Sequence, residues 1–263
     1  MQSNVVGTLA WGQLRGGRLT VNEQFTIARQ ATHAQLAAMP GILRVALFGP
    51  LNEPGGPLAY RPPPDTALTR DALEQVTEAG PAPLVGHALR CWCFADLFAQ
   101  RDAVSVDPEA LCLSCLLHDL SLADNRRPDA SAGCFAVHGA GAATAHLEAM
   151  GADQPLVTRV GEAISLHFSP RVELDLSVEG HLLQAAAYLD TAGFRIAQLP
   201  GSALRDVLSR HPRDGFTALF TSRMREEARD RPRSRAALLW HLGSGLALKT
   251  NPLDRISPPK HLR

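Results

Sequence analysis

Leu111-Cys112-Leu113-Ser114-Cys115-Leu116-Leu117-His118-Asp119-Leu120 is an apolar, helix-forming run that ends in a neighbouring imidazole and carboxylate. On an α-helix, consecutive side chains point about 100° apart. His118 and Asp119 can therefore grip one ion only in a crevice between this helix and others. Burying a carboxylate beside leucines is costly unless something pairs with it. A divalent cation does so, and the imidazole adds a borderline-soft nitrogen donor. The plain alternative is a His-Asp pair capping the inner end of a core helix.

Working outward, 263 residues are enough for a large core in one or two domains. Hydrophobic residues make up 45% of the chain and aromatics 5%, with abundant Ala and Leu, a balance that leans helical. Lys+Arg 26 against Asp+Glu 26 leaves no net charge to draw the chain to nucleic acid or anionic lipid. No apolar run approaches the ~20 residues that cross a bilayer. Met1-Gln2-Ser3-Asn4 does not open a secretory signal. Five cysteines, an odd number mostly inside apolar helical runs, suit a reducing cytoplasmic compartment.

Residues 1–19, with Gly7, Gly12, Gly16 and Gly17, read as loop or a short strand. The spacing of Phe25, Ile27, Ala28, Ala31 and Leu36 predicts a helix over 21–38, ended by Pro40-Gly41. Residues 42–48 read as a short strand or extended connector. Prolines at 50, 54, 57, 62, 63 and 64 exclude regular helix there. That stretch reads as a stiff arm anchored by Leu58 and Tyr60, or as an exposed loop.

Helices dominate afterwards. Thr69 is a candidate N-cap of one that finishes at Gly80-Pro81, and residues 83–100 form the next. Asp107-Pro108-Glu109 combines a cap, a first-turn proline and an acid at the positive helix end, and opens a helix running through His118-Asp119. Further helices are predicted over 135–150, 154–167, 179–191, 202–209, 213–229 and 235–242, with an irregular tail from 252. There is no internal repeat and no strand alternation. The expected fold is an all-α bundle: an irregular Pro-rich N-terminal arm over 1–65, a helical metal-binding domain over 66–232, and a C-terminal helix and tail, 233–263, packed on it.

Few polar residues interrupt the apolar helix faces: His87, His118, Asp119, His167 and Asp190. Each alone reads as a satisfied core group. Together they follow an H…HD…D order on separate helices, and two imidazoles with two carboxylates make a plausible cage for a divalent metal with positions left for water. A rival drawing joins Cys91, Cys93, Cys112 and Cys115 as a four-thiolate zinc site. Both pairs lie mid-helix without turn glycines, so the cysteines read as core fillers. No phosphate-binding glycine loop is present.

The segments Gly86-His87-Ala88-Leu89-Arg90, Leu116-Leu117-His118-Asp119, Phe135-Ala136-Val137-His138-Gly139-Ala140, Glu162 through His167, Leu182 through Asp190, and His211-Pro212-Arg213-Asp214-Gly215-Phe216 resemble the HD-domain superfamily of metal-dependent hydrolases, in its cyanamide hydratase-like branch. The resemblance spans roughly 69–232. It implies an HD-type helical fold holding one metal, zinc in that branch, through His87, His118, Asp119 and Asp190. His167 would be a substrate or outer group, or a ligand to a second ion. Relatives usually carry an acid where Ala136 stands and seldom a histidine where His138 stands, which makes His138 a further candidate for the site.

The expected chemistry is addition of metal-activated water to a small nitrile-like molecule such as cyanamide, giving urea, with His167 and His138 as proton donors beside Asp119. The metal expected is Zn2+, with Fe or Mn as alternatives. An HD-type phosphohydrolase acting on a phosphate ester or nucleotide needs cations around the phosphoryl group, for which Arg90, Arg126, Arg127 and Arg171 are candidates. A di-iron HD oxygenase using His138 and His167 as extra ligands, and a non-catalytic helical module, complete the alternatives. The expected partner is a small-molecule substrate, with no nucleic acid and no membrane. Homo-oligomerisation is left open.

Overall fold

The computed structural model describes residues 5–51, 58–129 and 132–256. Among them there is no strand, so the fold is all-α. In chain order the helices are α1 (Leu9–Arg15), α2 (Val21–Phe48), α3 (Ala67–Ala79), α4 (Ala82–Arg101), α5 (Pro108–Leu117), α6 (Phe135–Ala149), α7 (Gln154–Leu166), α8 (Val178–Ala192), α9 (Gly201–Arg210), α10 (Phe216–Asp230), α11 (Arg235–Leu239), α12 (Gly245–Lys249) and α13 (Leu253–Ile256). Among the described residues no helix is long and apolar enough to cross a membrane.

The core follows from helices that are apolar on every side. Every residue from Ala110 to Leu117 in α5 is buried. In α4 the unbroken stretch from Arg90 to Ala99 is buried too. α4 packs on α5 and α8, and α7 on α5, α6 and α8, so these helices form the centre of the bundle. Asp107 starts α5 as its spacing foretells: the carboxylate accepts from the N–H groups of Glu109 and Ala110.

The N-terminal part is more helical than its sequence suggested. Thr8 caps α1 by accepting from Trp11 N–H, and the half-buried backbone N–H of Leu9 donates to Glu162 of α7 at 2.6 Å. A seven-residue helix with a central glycine carries too little periodicity to read. α2 passes through Pro40 to Phe48 instead of stopping. The proline forgoes a bond to the carbonyl of Leu36, a residue on the exposed face where solvent can take the donor's place. α3 begins at a Thr66 cap, with Thr69 at its third position closing a capping box, three residues before the expected cap.

Residues 58–65 are extended and wrap the bundle. The Gln100 amide pairs with both backbone groups of Ala59, Trp92 Nε1 donates to the Arg61 carbonyl, and Leu58 and Tyr60 pack against the core. Prolines 54 and 57 lie outside the described residues. At the other end the chain kinks at Gly243, whose φ of 98° is non-helical, between α11 and α12, where the expected helix ran on to 242.

Because Asp107 secures the start of the helix that delivers His118, Asp107→Ala is expected to lower stability by about 1–2 kcal/mol in urea denaturation while the fold persists.

Candidate metal centre

The His118-Asp119 pair sits where α5 ends. His118 keeps α-helical torsions as the last cap position, and Asp119 turns to φ −110°, ψ 11° before a short 3-10 turn over Leu120–Leu122. That exit from the helix, two residues earlier than expected, lets both side chains face the same crevice despite their 100° offset in a regular helix. His167 repeats the arrangement at the end of α7. In both cases the imidazole Nδ1–H donates back to a free carbonyl three residues earlier, Cys115 at 2.8 Å and Ile164 at 2.6 Å. His87, on α4, has its Nδ1 held by the Asp190 carboxylate at 2.6 Å.

All three rings are thus anchored through Nδ1 and turn Nε2 inward. His87 Nε2 lies 3.2 Å from His118 Nε2, and each is 3.4 Å from Asp119 Oδ2. His167 Nε2 lies 3.5 Å from the other oxygen, Oδ1. The four side chains are buried. Asp119 Oδ1 and His167 Nε2 have no hydrogen-bond partner. Three inward imidazole lone pairs and a carboxylate contain no donor of their own, and buried acceptors without a donor are costly. A cation resolves this. Tetrahedral zinc, with bonds of ~2.0–2.1 Å to N and O, places its donors about 3.3–3.4 Å apart, which is the triangle formed by His87, His118 and Asp119. Among the described residues two overlapping groups can hold a metal ion, His118–Asp119–His167 and His87–Cys91–His118.

With no other cation, protons fill the role. Burial works against a charged imidazole at His118, but Asp119 outweighs it and lifts the pKa to about 10. Burial likewise opposes charge on His87, and the opposing groups Cys91, Asp119 and Asp190 raise it well above the ordinary value. Burial would raise Asp119, yet His118 and the other imidazoles hold it far below the carboxylate range. His167 moves the other way, lowered first by burial. A metal must displace those protons, so acid opposes loading.

Asp190 occupies a different place from the other three expected ligands. It meets His87 from behind, on Nδ1, and its remaining capacity is taken by Arg90, through Nε and Nη2 at 2.8 Å each, and by Arg213. Those two arginines, over the opposing effect of burial, hold its pKa well below normal. An outer carboxylate of this kind fixes the tautomer and orientation of a ligating histidine. The segment His211 to Phe216 supplies the rest of the backing. Arg90 donates to the carbonyl of Pro212, Arg213 reaches Asp190, and Phe216 stacks on His87 with ring centroids 4.7 Å apart. Gly86 leaves room for the Arg90 guanidinium, whose Nη1 would stand 3.0 Å from an added Cβ.

His138 is not brought to the cluster. It is exposed on α6 and lines a separate cavity with Gln75, Arg126, Arg127 and His146. One helical turn of α6 faces two ways here: Ala136 is buried in the apolar cluster of Phe135, Phe216 and Phe220, and His138 points out. The assembled groups therefore exclude His138 from a two-metal oxygenase site. The arginines suggested for phosphate are also committed: Arg90 to Asp190, Arg126 to Gln75, Arg127 to Glu226 and Asp230, and Arg171 to Glu173. No four-cysteine group exists among the described residues. Cys91, read as a core filler, lies 3.7 Å from His87 Nε2, and its place one turn beyond His87 on the same helix face was the available signal.

Two yeast proteins carry the same kind of sequence. The chain is 31% identical over 141 residues to Cyanamide hydratase DDI2 and to Cyanamide hydratase DDI3 of Saccharomyces cerevisiae (strain ATCC 204508 / S288c). It is similar to hydratases. Each alignment spans 52% of this chain and 62% of the relative. No family model matches the chain.

Removing Asp190 takes the shared carboxylate from two buried guanidinium groups whether or not a metal is present, leaving Arg213 with Asp254 and Arg90 with the His211 and Pro212 carbonyls. Asp190→Ala is therefore expected to cost roughly 3–5 kcal/mol in urea denaturation with a chelator in the buffer. A loss that disappears in chelator would mean that Asp190 acts through the ion instead.

Proposed function

We propose that the protein is a metal-dependent hydratase of the cyanamide hydratase kind, adding water to the carbon of a small nitrile-like substrate. The observation that carries this is the buried triangle of His87 Nε2, His118 Nε2 and Asp119 Oδ2, beside two unpartnered polar atoms. The similarity to two cyanamide hydratases supports the reaction class. The triangle would hold the ion, and its two nitrogens and one oxygen suit zinc or iron. An HD-type domain over 66–232 accommodates all four residues.

A bound divalent ion supplies Lewis acidity, polarising an electrophile and lowering the pKa of a water toward ~7. The remaining steps belong to the chain. Asp119 Oδ1, with no partner of its own, accepts a hydrogen bond from the attacking water and orients its lone pair. His167 Nε2 faces that oxygen at 3.5 Å. Burial lowers its pKa, so the ring is neutral near pH 7 and its Nε2 lone pair is open to accept a proton from the attacking water. It then delivers the proton to the nitrile nitrogen. Its Nδ1–H bond to Ile164 keeps the ring in one orientation through both transfers. For cyanamide, one C–O bond forms and the former nitrile nitrogen gains two protons, giving urea. Asp190, Arg90 and Arg213 position His87, and Phe216 and Phe220 shield it from bulk water.

The test is urea release from cyanamide by zinc-loaded protein. His167→Ala is expected to retain the metal and lose about 100-fold or more in kcat. Phosphate release from p-nitrophenyl phosphate with no urea formed would contradict the reading.

A further inference from the structure

α2 packs on α11 and on the 3-10 turn over Ile196–Gln198 through one side, where Ile27, Ala31 and Val45 are buried. Its opposite side is apolar and, among the described residues, uncovered. Phe25, Leu36, Met39, Leu43, Leu47 and Phe48 stand between 45% and 82% exposed. Monomeric soluble proteins rarely leave an apolar stripe of this extent open to water. With Val21, also exposed, the uncovered area is of the order of the ~800 Å2 that each partner contributes to a stable interface.

Spacing tells what shape of partner fits. Positions 25, 29, 32, 36, 39 and 43 are all exposed and alternate steps of four and three, the seam by which one helix receives another. Arg29 and Thr32 are its polar members, of the kind that sets register. Charge narrows the choice further. Arg29 is the only Asp, Glu, Lys or Arg among the exposed residues of α2. A helix lying in a membrane interface carries a strongly charged polar face, whereas the middle of a protein interface is depleted of charge.

Length then decides the pairing. α2 runs from Val21 to Phe48, and a two-fold axis crossing it at residue 34 lets two copies overlap antiparallel along nearly all of it. Val21 then faces Leu47, Phe25 faces Leu43, Arg29 faces Met39 and Thr32 faces Leu36, and each pair occurs twice. Every apolar member meets another apolar residue, the Thr32 methyl or the aliphatic stem of Arg29. The two Arg29 positions stand about 15 Å apart along the helices, so like charges do not meet.

We infer that α2 is the seam of a homodimer, two copies packing antiparallel through this stripe about a two-fold axis at residue 34. The inference is independent of the hydratase reading, because α2 contributes no residue to the candidate metal centre.

Sedimentation of the full chain at micromolar concentrations is expected to give a dimer. Leu43→Glu sets a carboxylate against Phe25 twice per dimer and is expected to weaken association roughly 100-fold or more. Its circular dichroism should match the wild type, because the position is on the surface. For the register, Phe25→Cys and Leu43→Cys are combined in one chain and oxidised with diamide; the native cysteines are buried. Positions 25 and 43 of one helix lie about 27 Å apart, out of reach of a disulfide. A covalent dimer from the double variant, and none from either single variant, is the expected result. A wild type that sediments as a monomer overturns the inference, including one that co-sediments with phosphatidylserine-containing vesicles instead. So does a dimer that Leu43→Glu leaves intact, or a single-cysteine variant that links as readily as the double.

Discussion

The site depends on a carboxylate that faces away from its centre. Asp190 is buried, clamped by Arg90 and Arg213, and holds His87 by Nδ1. Two guanidinium charges and one carboxylate inside a helical core are costly to desolvate, and removing one partner is costlier than keeping them all. The clamp ties α4, α8 and the segment before α10 into one block. It leaves the Nε2 of His87 one direction to face, toward His118 and Asp119. The other two imidazoles reach the same result more simply, each by bonding back to its own helix end. Convergence of three nitrogens on a carboxylate is thus built into backbone and buried charge, before any ion or substrate arrives.

That pre-organisation has an electrostatic consequence. The cluster is poised to hold positive charge: against burial, attraction between the imidazoles and the carboxylates raises the pKa values of His87 and His118 and lowers that of Asp119, and a divalent ion meets the same demand with the same atoms. His167 lies at the edge of this field with a lowered pKa, which separates its chemistry from that of its neighbours. The phenylalanines around the imidazoles keep the dielectric low, so both the attraction of Asp119 for a cation and the reactivity of a water beside it are strengthened.

Much of this was legible from residue types. Asp107-Pro108-Glu109 announces α5 because capping is local chemistry, and the continuous apolar run behind it can only be buried. His87, His118, Asp119 and His167 stand out as polar groups on such faces, and the fold brings them together. Which nitrogen of His87 faces Asp190 is a matter of tertiary geometry, so Asp190 could be placed near the site but not on its proper side. Arg213 lies in a non-helical segment 23 residues from its partner, where no periodicity points to it. His138 misled because two residues along a helix turn a side chain by about 200°, so a residue beside a buried position is readily an outward one. Pro40 misled for a related reason: a proline ends a helix only where its missing bond cannot be replaced by water.

The most direct measurement is the elemental content of the protein purified without added metal, by mass spectrometry, in wild type and in Asp119→Ala. Expected are about one equivalent of a divalent transition metal in the wild type and roughly a tenth of that or less in the variant, whose lost ligand opens the triangle. A wild type that carries no metal, and takes up none from added zinc, would contradict the convergence of His87, His118 and Asp119 on a shared cation.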